Sequence, residues 1–273
     1  MVQLKELKLW KWFKNPHNSK NEQCVFFHIP KSAGVWVQHL FDHWNNKLGR
    51  KIFLAPPQHF FYSYDYKCGL NGSINYGGIK KYFKRHNLNN CFTICSIRDP
   101  FEWYLSFFIW SHGADPESFS RKGLVPHYST FDKFILDNKI NYVGAVRPHL
   151  NACNSFVRLS SLKMDFEHLV LNTFPELTDF VKDSFINLES INSLSNVKNA
   201  KQRDALNNSE LKKKFNVYID NHKTENFYTE EMIKLIYKRD QLIFYLLNLD
   251  SPIILPEQKL SQYINSLKLH INL

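Results

Sequence analysis

The sequence predicts an α/β fold with a central parallel sheet that helices cover on both faces. Short apolar runs rich in β-branched and aromatic residues alternate along the chain with longer segments of helical periodicity. The strand candidates are apolar on both faces, which is typical of parallel sheets. With 273 residues, 44% of them hydrophobic and no internal repeat, the chain is predicted to form one domain over residues 1–273.

The predicted strands are short apolar runs bounded by residues that break secondary structure. They are CVFFHI (24–29), CFTICSI (91–97) and SFVRLSSL (155–162). The predicted helices carry apolar residues at a spacing of three and four. They cover 35–49, 79–86, 100–110, 130–138, 165–174, 176–185 and 229–249.

Local signals mark the ends of several of these helices. Gly49 stands where a C-cap is expected, Asp99 and Pro100 suit the start of the next long helix, and Thr130 is an N-cap candidate. The segments between the helices are rich in Gly, Pro, Ser or charge, and they are predicted to be irregular. They are 50–78 and the loop insertions 111–128 and 190–209.

The net charge of +10, from 35 Lys and Arg against 25 Asp and Glu, favours anionic partners such as nucleotide phosphates, acidic glycans, nucleic acid or a membrane surface. Five cysteines without a C-x-x-C pattern indicate neither a zinc site nor a disulfide framework. Residues 1–22 form a basic amphipathic extension without a signal-peptide or membrane-spanning stretch. We therefore expect a cytoplasmic protein with at most a weak membrane-surface contact through residues 1–14.

The loop PKSAG (30–34) joins the first strand to the first helix, so it lies at the sheet edge where α/β proteins bind ligands. The backbone N–H groups that open a helix have no partner inside it and, with the helix dipole, form an anion site. Lys31 adds positive charge, Ser32 a hydroxyl, and Gly34 a close approach of the backbone. The order of lysine and glycine is not that of a Walker A loop. An ordinary strand-to-helix turn with a surface lysine is the alternative.

The second strand ends in SIRDPFEWYLSFF (96–108), which repeats this arrangement. The fork of Arg98 and the hydroxyl of Ser106 suit a phosphate, although Arg98 by itself could simply pair with Asp99 or Glu102. Two such strand ends in one sheet predict a ligand with two separated anionic groups.

FFHIPKSAGVW (26–36) and RDPFEWYLSFF (98–108) resemble the two hallmark motifs of the PAPS-dependent sulfotransferases, in particular the carbohydrate sulfotransferase branch. FYTEEMIKLIYKRDQLIFYLL (227–247) is similar to the closing helix of that family. The resemblance implies a P-loop-like three-layer α/β/α fold. It also implies sulfuryl transfer from 3′-phosphoadenosine 5′-phosphosulfate (PAPS) to a hydroxyl or amine, on a carbohydrate or glycolipid, with no metal and no nucleic-acid partner.

The resemblance also assigns site residues. The 5′-phosphosulfate would lie on Lys31, Ser32, Ala33, Gly34, Val35 and Trp36, and the 3′-phosphate on Arg98 and Ser106. Lys31 would be catalytic because it stabilises charge on the bridging oxygen, and His59 would be the general base. The rival bases are His28, His112, Asp65 and Glu102, and the residues expected to cover the nucleotide are Lys198, Lys201 and Arg203.

Two positions depart from the family motifs. Val35 replaces a common hydroxyl residue, and Trp103 replaces a frequent arginine and is predicted to pack rather than to pair with an anion. Three other functions stay open: a P-loop-like nucleotide kinase, a non-catalytic basic module that binds glycans or nucleic acid, and an inactive sulfotransferase relative. The kinase lacks support because neither a Walker A nor a Walker B pattern is present.

Overall fold

The structure, a computed structural model, describes residues 23–55, 91–113, 128–137, 141–185, 212–213 and 227–248. Within these ranges the chain forms a four-stranded, all-parallel sheet with the order β2-β1-β3-β4. The strands are β1 (Gln23–Phe27), β2 (Phe53–Leu54), β3 (Cys91–Ile97) and β4 (Ser155–Arg158). The α/β class predicted from the sequence is confirmed.

The described helices follow the strands in the sequence. They are α1 (Gly34–Leu48), α2 (Pro100–Gly113), α3 (Phe131–Leu136), α4 (Tyr142–Ala152), α5 (Leu162–Thr173), α6 (Thr178–Ser184), α7 (Glu230–Arg239) and α8 (Gln241–Leu247), with 3₁₀ turns at Leu159–Ser161 and Pro175–Leu177. None of the helices in the described part of the chain is both long and apolar enough to cross a membrane.

The sheet buries both of its faces, because successive side chains of a strand point in opposite directions. Val25 and Phe27 of β1 belong to an apolar cluster with residues of α2, α3, α4, α7 and α8. Cys24 and Phe26 belong to a second cluster with residues of α1, α5 and α6. This is why β1 is a continuous apolar run rather than an alternating one.

Helix α4 was not predicted from the sequence. Gly144 and Pro148 argue against a helix there. Its first N–H groups are instead satisfied by groups outside it: Asn141 Oδ1 accepts from Gly144 N at 2.6 Å, Tyr104 Oη accepts from Tyr142 N at 2.7 Å, and Asp240 Oδ1 accepts from Val143 N at 2.8 Å. Two of these three acceptors are tertiary, so local sequence cannot reveal them.

The single helix predicted over 229–249 is wrong, because the chain breaks at Asp240 between α7 and α8. Asp240 has φ −107° and ψ 24°, outside the helical range, and its carboxylate binds groups of α2 and α4. The apolar face predicted for this segment is nevertheless buried at Met232, Ile236 and Ile243.

Smaller boundaries also differ. The irregular stretch 50–78 contains the short strand β2, where the Asn45 side chain bonds Ile52 N, Phe53 N and Phe53 O. The strand predicted over 155–162 ends at Arg158, whose N–H donates to Asp165 Oδ2 at 2.7 Å. Helix α2 continues to Gly113, beyond the predicted start of the 111–128 loop. The predictions for 1–22, 79–86 and 190–209 lie outside the described residues.

Candidate anion site at the ends of β1 and β3

The loop between β1 and α1 has an unusual backbone. Lys31 and Ala33 have φ values of 66° and 61°, and they are the two non-glycine residues with positive φ in the part of the chain that the structure describes. This left-handed region costs an L-residue about 1–2 kcal/mol. Ala33 is left-handed and the helical Gly34 follows it, an alternation that turns successive N–H groups towards one concave side. Such strain concentrates at ligand-binding sites.

Helix α1 directs its N-terminus at this loop. The N–H of Val37 is the first to bond inside the helix, donating to Ala33 O at 3.0 Å. The N–H groups of Gly34, Val35 and Trp36 precede it and lie outside the helical ladder. The first turn contains no acidic residue, so the partial positive charge of this 15-residue helix, equivalent to roughly half a unit charge, is not neutralised there.

A glycine is required at position 34 because the His28 ring occupies the space that a Cβ would fill. A Cβ at position 34 would lie 1.9 Å from both Cδ2 and Nε2 of the His28 ring. The ring also stacks on Phe26, with 6.3 Å between centroids. The absence of a side chain at Gly34 therefore makes room for the imidazole, which places one of the rival bases against the first residue of α1.

Arg98 connects the loop to α2. Its Nη1 donates to the carbonyl of Lys31 at 3.1 Å, and its Nε donates to Glu102 Oε2 at 2.9 Å. Asp99 Oδ1 accepts from Glu102 N at 3.2 Å, so Asp99 caps α2 as the sequence predicts. Burial, the largest cause, raises the pKa of Asp99. The Arg98 guanidinium thus joins the second motif, to which it belongs, to the loop of the first.

Trp103 also binds the loop. The indole is buried, it stacks on Tyr142 at 4.5 Å and on Phe107 at 4.7 Å, and its Nε1 donates to the carbonyl of Pro30 at 2.8 Å. The prediction that Trp103 packs instead of pairing with an anion is confirmed.

Three side chains of the β3–α2 segment hold three successive carbonyls of the loop. Trp103 donates to Pro30 O, Arg98 donates to Lys31 O, and the Ser96 hydroxyl donates to Ser32 O. A trans peptide places its N–H opposite its C=O. These bonds therefore turn the N–H groups of the same peptides away from β3 and α2. The N–H of Ser32 donates to the carbonyl of Ile29 at 3.1 Å and closes a turn. The bonds to the carbonyls of Pro30 and Ser32 fix the peptides on either side of this turn.

Tyr142 is a site residue that sequence reasoning missed. Its hydroxyl accepts from Arg98 N at 2.7 Å and pairs with the Ser32 hydroxyl at 3.2 Å. It thereby touches both motifs at once. No signal in the sequence indicates this role, because Tyr142 lies in the unpredicted helix α4, 110 residues beyond Ser32.

The structure brings part of the predicted set together. Residues 31–36 and Arg98 share one edge of the sheet, since β1 and β3 are neighbouring parallel strands. Ser106 is buried two turns along α2 and makes no hydrogen bond to the loop within the described part of the chain. The Trp36 ring packs 6.4 Å from that of Phe166. The predicted residues outside the described ranges are His59, Asp65, Lys198, Lys201 and Arg203, and the side chain of His112 is outside them too.

The donor set of this site consists of backbone N–H groups, a helix N-terminus, Lys31 and Arg98, which suits a phosphate or sulfate. Among the described residues, no group of three or more His, Cys, Asp or Glu side chains is placed to hold a metal ion. Comparison with family models, with curated proteins and with solved structures found no match.

Proposed function

We propose that the chain is a PAPS-dependent sulfotransferase of the carbohydrate branch, with a P-loop-like three-layer α/β/α fold. It would move a sulfuryl group from PAPS to a hydroxyl, or an amine, of a carbohydrate or glycolipid. The observation that carries the proposal is the set of three bonds from Trp103, Arg98 and Ser96 to successive loop carbonyls. They support it because two of them, from Arg98 and Trp103, join the two sulfotransferase-like motifs at the sheet edge where the anion would bind.

The chemistry of the residues fits the two anionic ends of PAPS. The N–H groups at the start of α1 and the left-handed loop would bind the 5′-phosphosulfate. Arg98, held by Glu102, would bind the 3′-phosphate together with Ser106. The Lys31 ammonium would stabilise negative charge on the bridging oxygen as adenosine 3′,5′-bisphosphate leaves. His59 stays the predicted base for the acceptor hydroxyl.

Ligand discrimination tests the proposal. Thermal stability would be measured with adenosine 3′,5′-bisphosphate and with ADP at equal concentration, in the wild type, Arg98→Ala and Arg50→Ala. Arg50 is an exposed arginine just beyond the other end of α1, about 22 Å away along a 15-residue helix, so its variant loses the same charge away from the site. Ligand at ~100 Kd adds about 2.7 kcal/mol of stability.

Stabilisation by the bisphosphate but not by ADP, lost in Arg98→Ala and kept in Arg50→Ala, is the expected result. An equal response to both ligands would favour a nucleotide kinase instead. No response to either would favour a basic binding module or an inactive relative. A cytoplasmic location is part of the proposal, and the thiols of Cys24, Cys95 and Cys153, buried in the core, support it.

A further inference from the structure

A chain of buried hydrogen bonds runs from the junction of α7 and α8 to the anion loop. It begins at Asp240, which is fully buried. Asp240 Oδ2 accepts from the Tyr104 hydroxyl at 2.7 Å, and Oδ1 accepts from the backbone N–H of Val143 at 2.8 Å. The Arg239 guanidinium stacks on the Tyr104 ring at 4.6 Å, and its Nε lies 3.6 Å from Oδ2, so the carboxylate has a countercharge.

The donor in each of these bonds except the last follows from the two groups that form it. The Tyr104 hydroxyl donates a hydrogen bond to the Asp240 carboxylate, and its oxygen accepts one from Tyr142 N at 2.7 Å. The Tyr142 oxygen accepts the N–H of Arg98 and shares a second hydrogen bond with the Ser32 hydroxyl, in which either hydroxyl can be the donor. Burial, the largest cause, raises the pKa values of both tyrosines, so both stay protonated.

We propose that Asp240, Tyr104 and Tyr142 are positioning residues of the anion site. Asp240 and Tyr104 fix the first turn of α4, and the Tyr142 hydroxyl in turn fixes Ser32 and the backbone of Arg98, one from each motif. The α7–α8 junction thereby sets the geometry in which the loop meets its ligand. For the identity of that ligand, the inference rests on the proposed function.

Removal of a single hydroxyl tests this role. Tyr142→Phe keeps the ring that stacks on Trp103 and deletes the oxygen that joins Arg98 to Ser32. Tyr128→Phe is the matched control, because the Tyr128 hydroxyl also makes a hydrogen bond, to Asp137 Oδ2 at 2.6 Å, and no bond joins it to the loop within the described residues. Both variants lose one hydrogen-bonded tyrosine hydroxyl.

Two measurements read the result in the full-length chain, well below the melting temperature of each variant. Amide hydrogen exchange of residues 31–37 reports the loop without any ligand. Calorimetry gives the Kd for adenosine 3′,5′-bisphosphate. We expect Tyr142→Phe to speed loop exchange and to weaken the affinity by about tenfold, which corresponds to the free energy of about one hydrogen bond within the site. We expect Tyr128→Phe to change neither.

Unchanged loop exchange in Tyr142→Phe, or equal changes in both variants, would overturn the inference. If the wild type binds the bisphosphate, the inference would also be overturned by a Tyr142→Phe variant whose loop exchanges faster but whose Kd is unchanged. A wild type that does not bind the bisphosphate would overturn the proposed function instead, and the exchange rates alone would then decide whether Tyr142 fixes the loop.

Asp240→Asn provides a second variant should Tyr142→Phe fail to fold. The amide keeps the oxygen that accepts from Val143 and puts an N–H donor against the Tyr104 hydroxyl, which loses its acceptor. The inference requires faster exchange at residues 31–37 in this variant as well. Exchange that rises only around α7 and α8 would contradict it.

Discussion

Replacement of Gly34 by alanine tests the packing at the start of α1. The new Cβ would lie 1.9 Å from two atoms of the His28 ring and 2.1 Å from a third, its Cγ. Because all three are atoms of one rigid ring, rotation of a flexible tip cannot relieve the clash. The shortest ordinary contact of a Cβ is 3.4 Å, so the ring or the helix has to move by the difference, about 1.5 Å.

The magnitude follows from two opposing effects. Overpacking of this kind costs about 1–3 kcal/mol of unfolding free energy. Without the ring, the same change gains about 0.4–1 kcal/mol, because Gly34 is helical, its φ is not in the positive range, and alanine restricts the unfolded chain. Gly34→Ala is therefore expected to destabilise the wild type and to stabilise the His28→Ala variant.

The assay is a double-mutant cycle over positions 28 and 34, with unfolding free energies from urea denaturation. We expect a coupling free energy of at least about 1.5 kcal/mol. Gly49→Ala is the comparison: its φ of 63° strains an alanine, but nothing lies within 4 Å of the new Cβ. The loss of unfolding free energy caused by Gly49→Ala should be the same with and without the His28 ring.

A Gly34→Ala variant that loses the same stability in both backgrounds would refute the reasoning, because the clash with His28 would then not be the cause. A Gly49→Ala cost that depends on His28 would show that the cycle does not report local packing.

Three further predictions concern buried polar groups. Asp165→Asn should lower the unfolding free energy by about 3–5 kcal/mol in urea denaturation, because it removes the buried carboxylate that pairs with the Arg158 guanidinium at 2.7 Å; a loss under 1 kcal/mol would contradict this. Trp103→Phe should cost at least about 1 kcal/mol by the same assay and weaken the proposed binding of the bisphosphate, because the bond to Pro30 O is lost; an unchanged Kd would argue against a role of that bond in the site. Burial, against the opposing charge of Arg239, raises the pKa of Asp240 from 3.8 to about 6. The native state therefore binds this proton more tightly than the unfolded state does, and Asp240 lowers stability as the pH rises from about 4 to about 6, by up to about 3 kcal/mol relative to Asp240→Asn; parallel pH profiles of the two proteins would refute it.

Much of the sheet edge could be predicted from short stretches of sequence. Strands β1 and β3 are apolar runs between breakers, and both occur where they were predicted. Asp99 caps α2 and Thr130 caps α3 as predicted, with the Thr130 side chain accepting from Lys133 N. These features depend on residues within a few positions of one another, so the local sequence contains the information.

The contacts that shape the loop could be predicted only in part. That Arg98 would lie beside Lys31 follows from the parallel pairing of β1 and β3. That Trp103 would take the carbonyl of Pro30 does not follow, because the direction of an indole N–H depends on the rings around it. The left-handed backbone of Lys31 and Ala33 runs against the preference of both residues, and bonds from other segments hold it.

The sequence by itself determined strands β1, β3 and β4, most of the helices that follow them, and the placing of Lys31 and Arg98 at two strand ends, because periodicity, caps and breakers act over one or two turns. Only the tertiary structure decided that α4 forms, that the closing helix breaks at Asp240, and that Tyr142 joins the two motifs. Tyr142 is 110 residues from Ser32, and Asp240 is 136 residues from Tyr104. Their polar groups are buried together, and a buried polar group must find a partner wherever the fold supplies one.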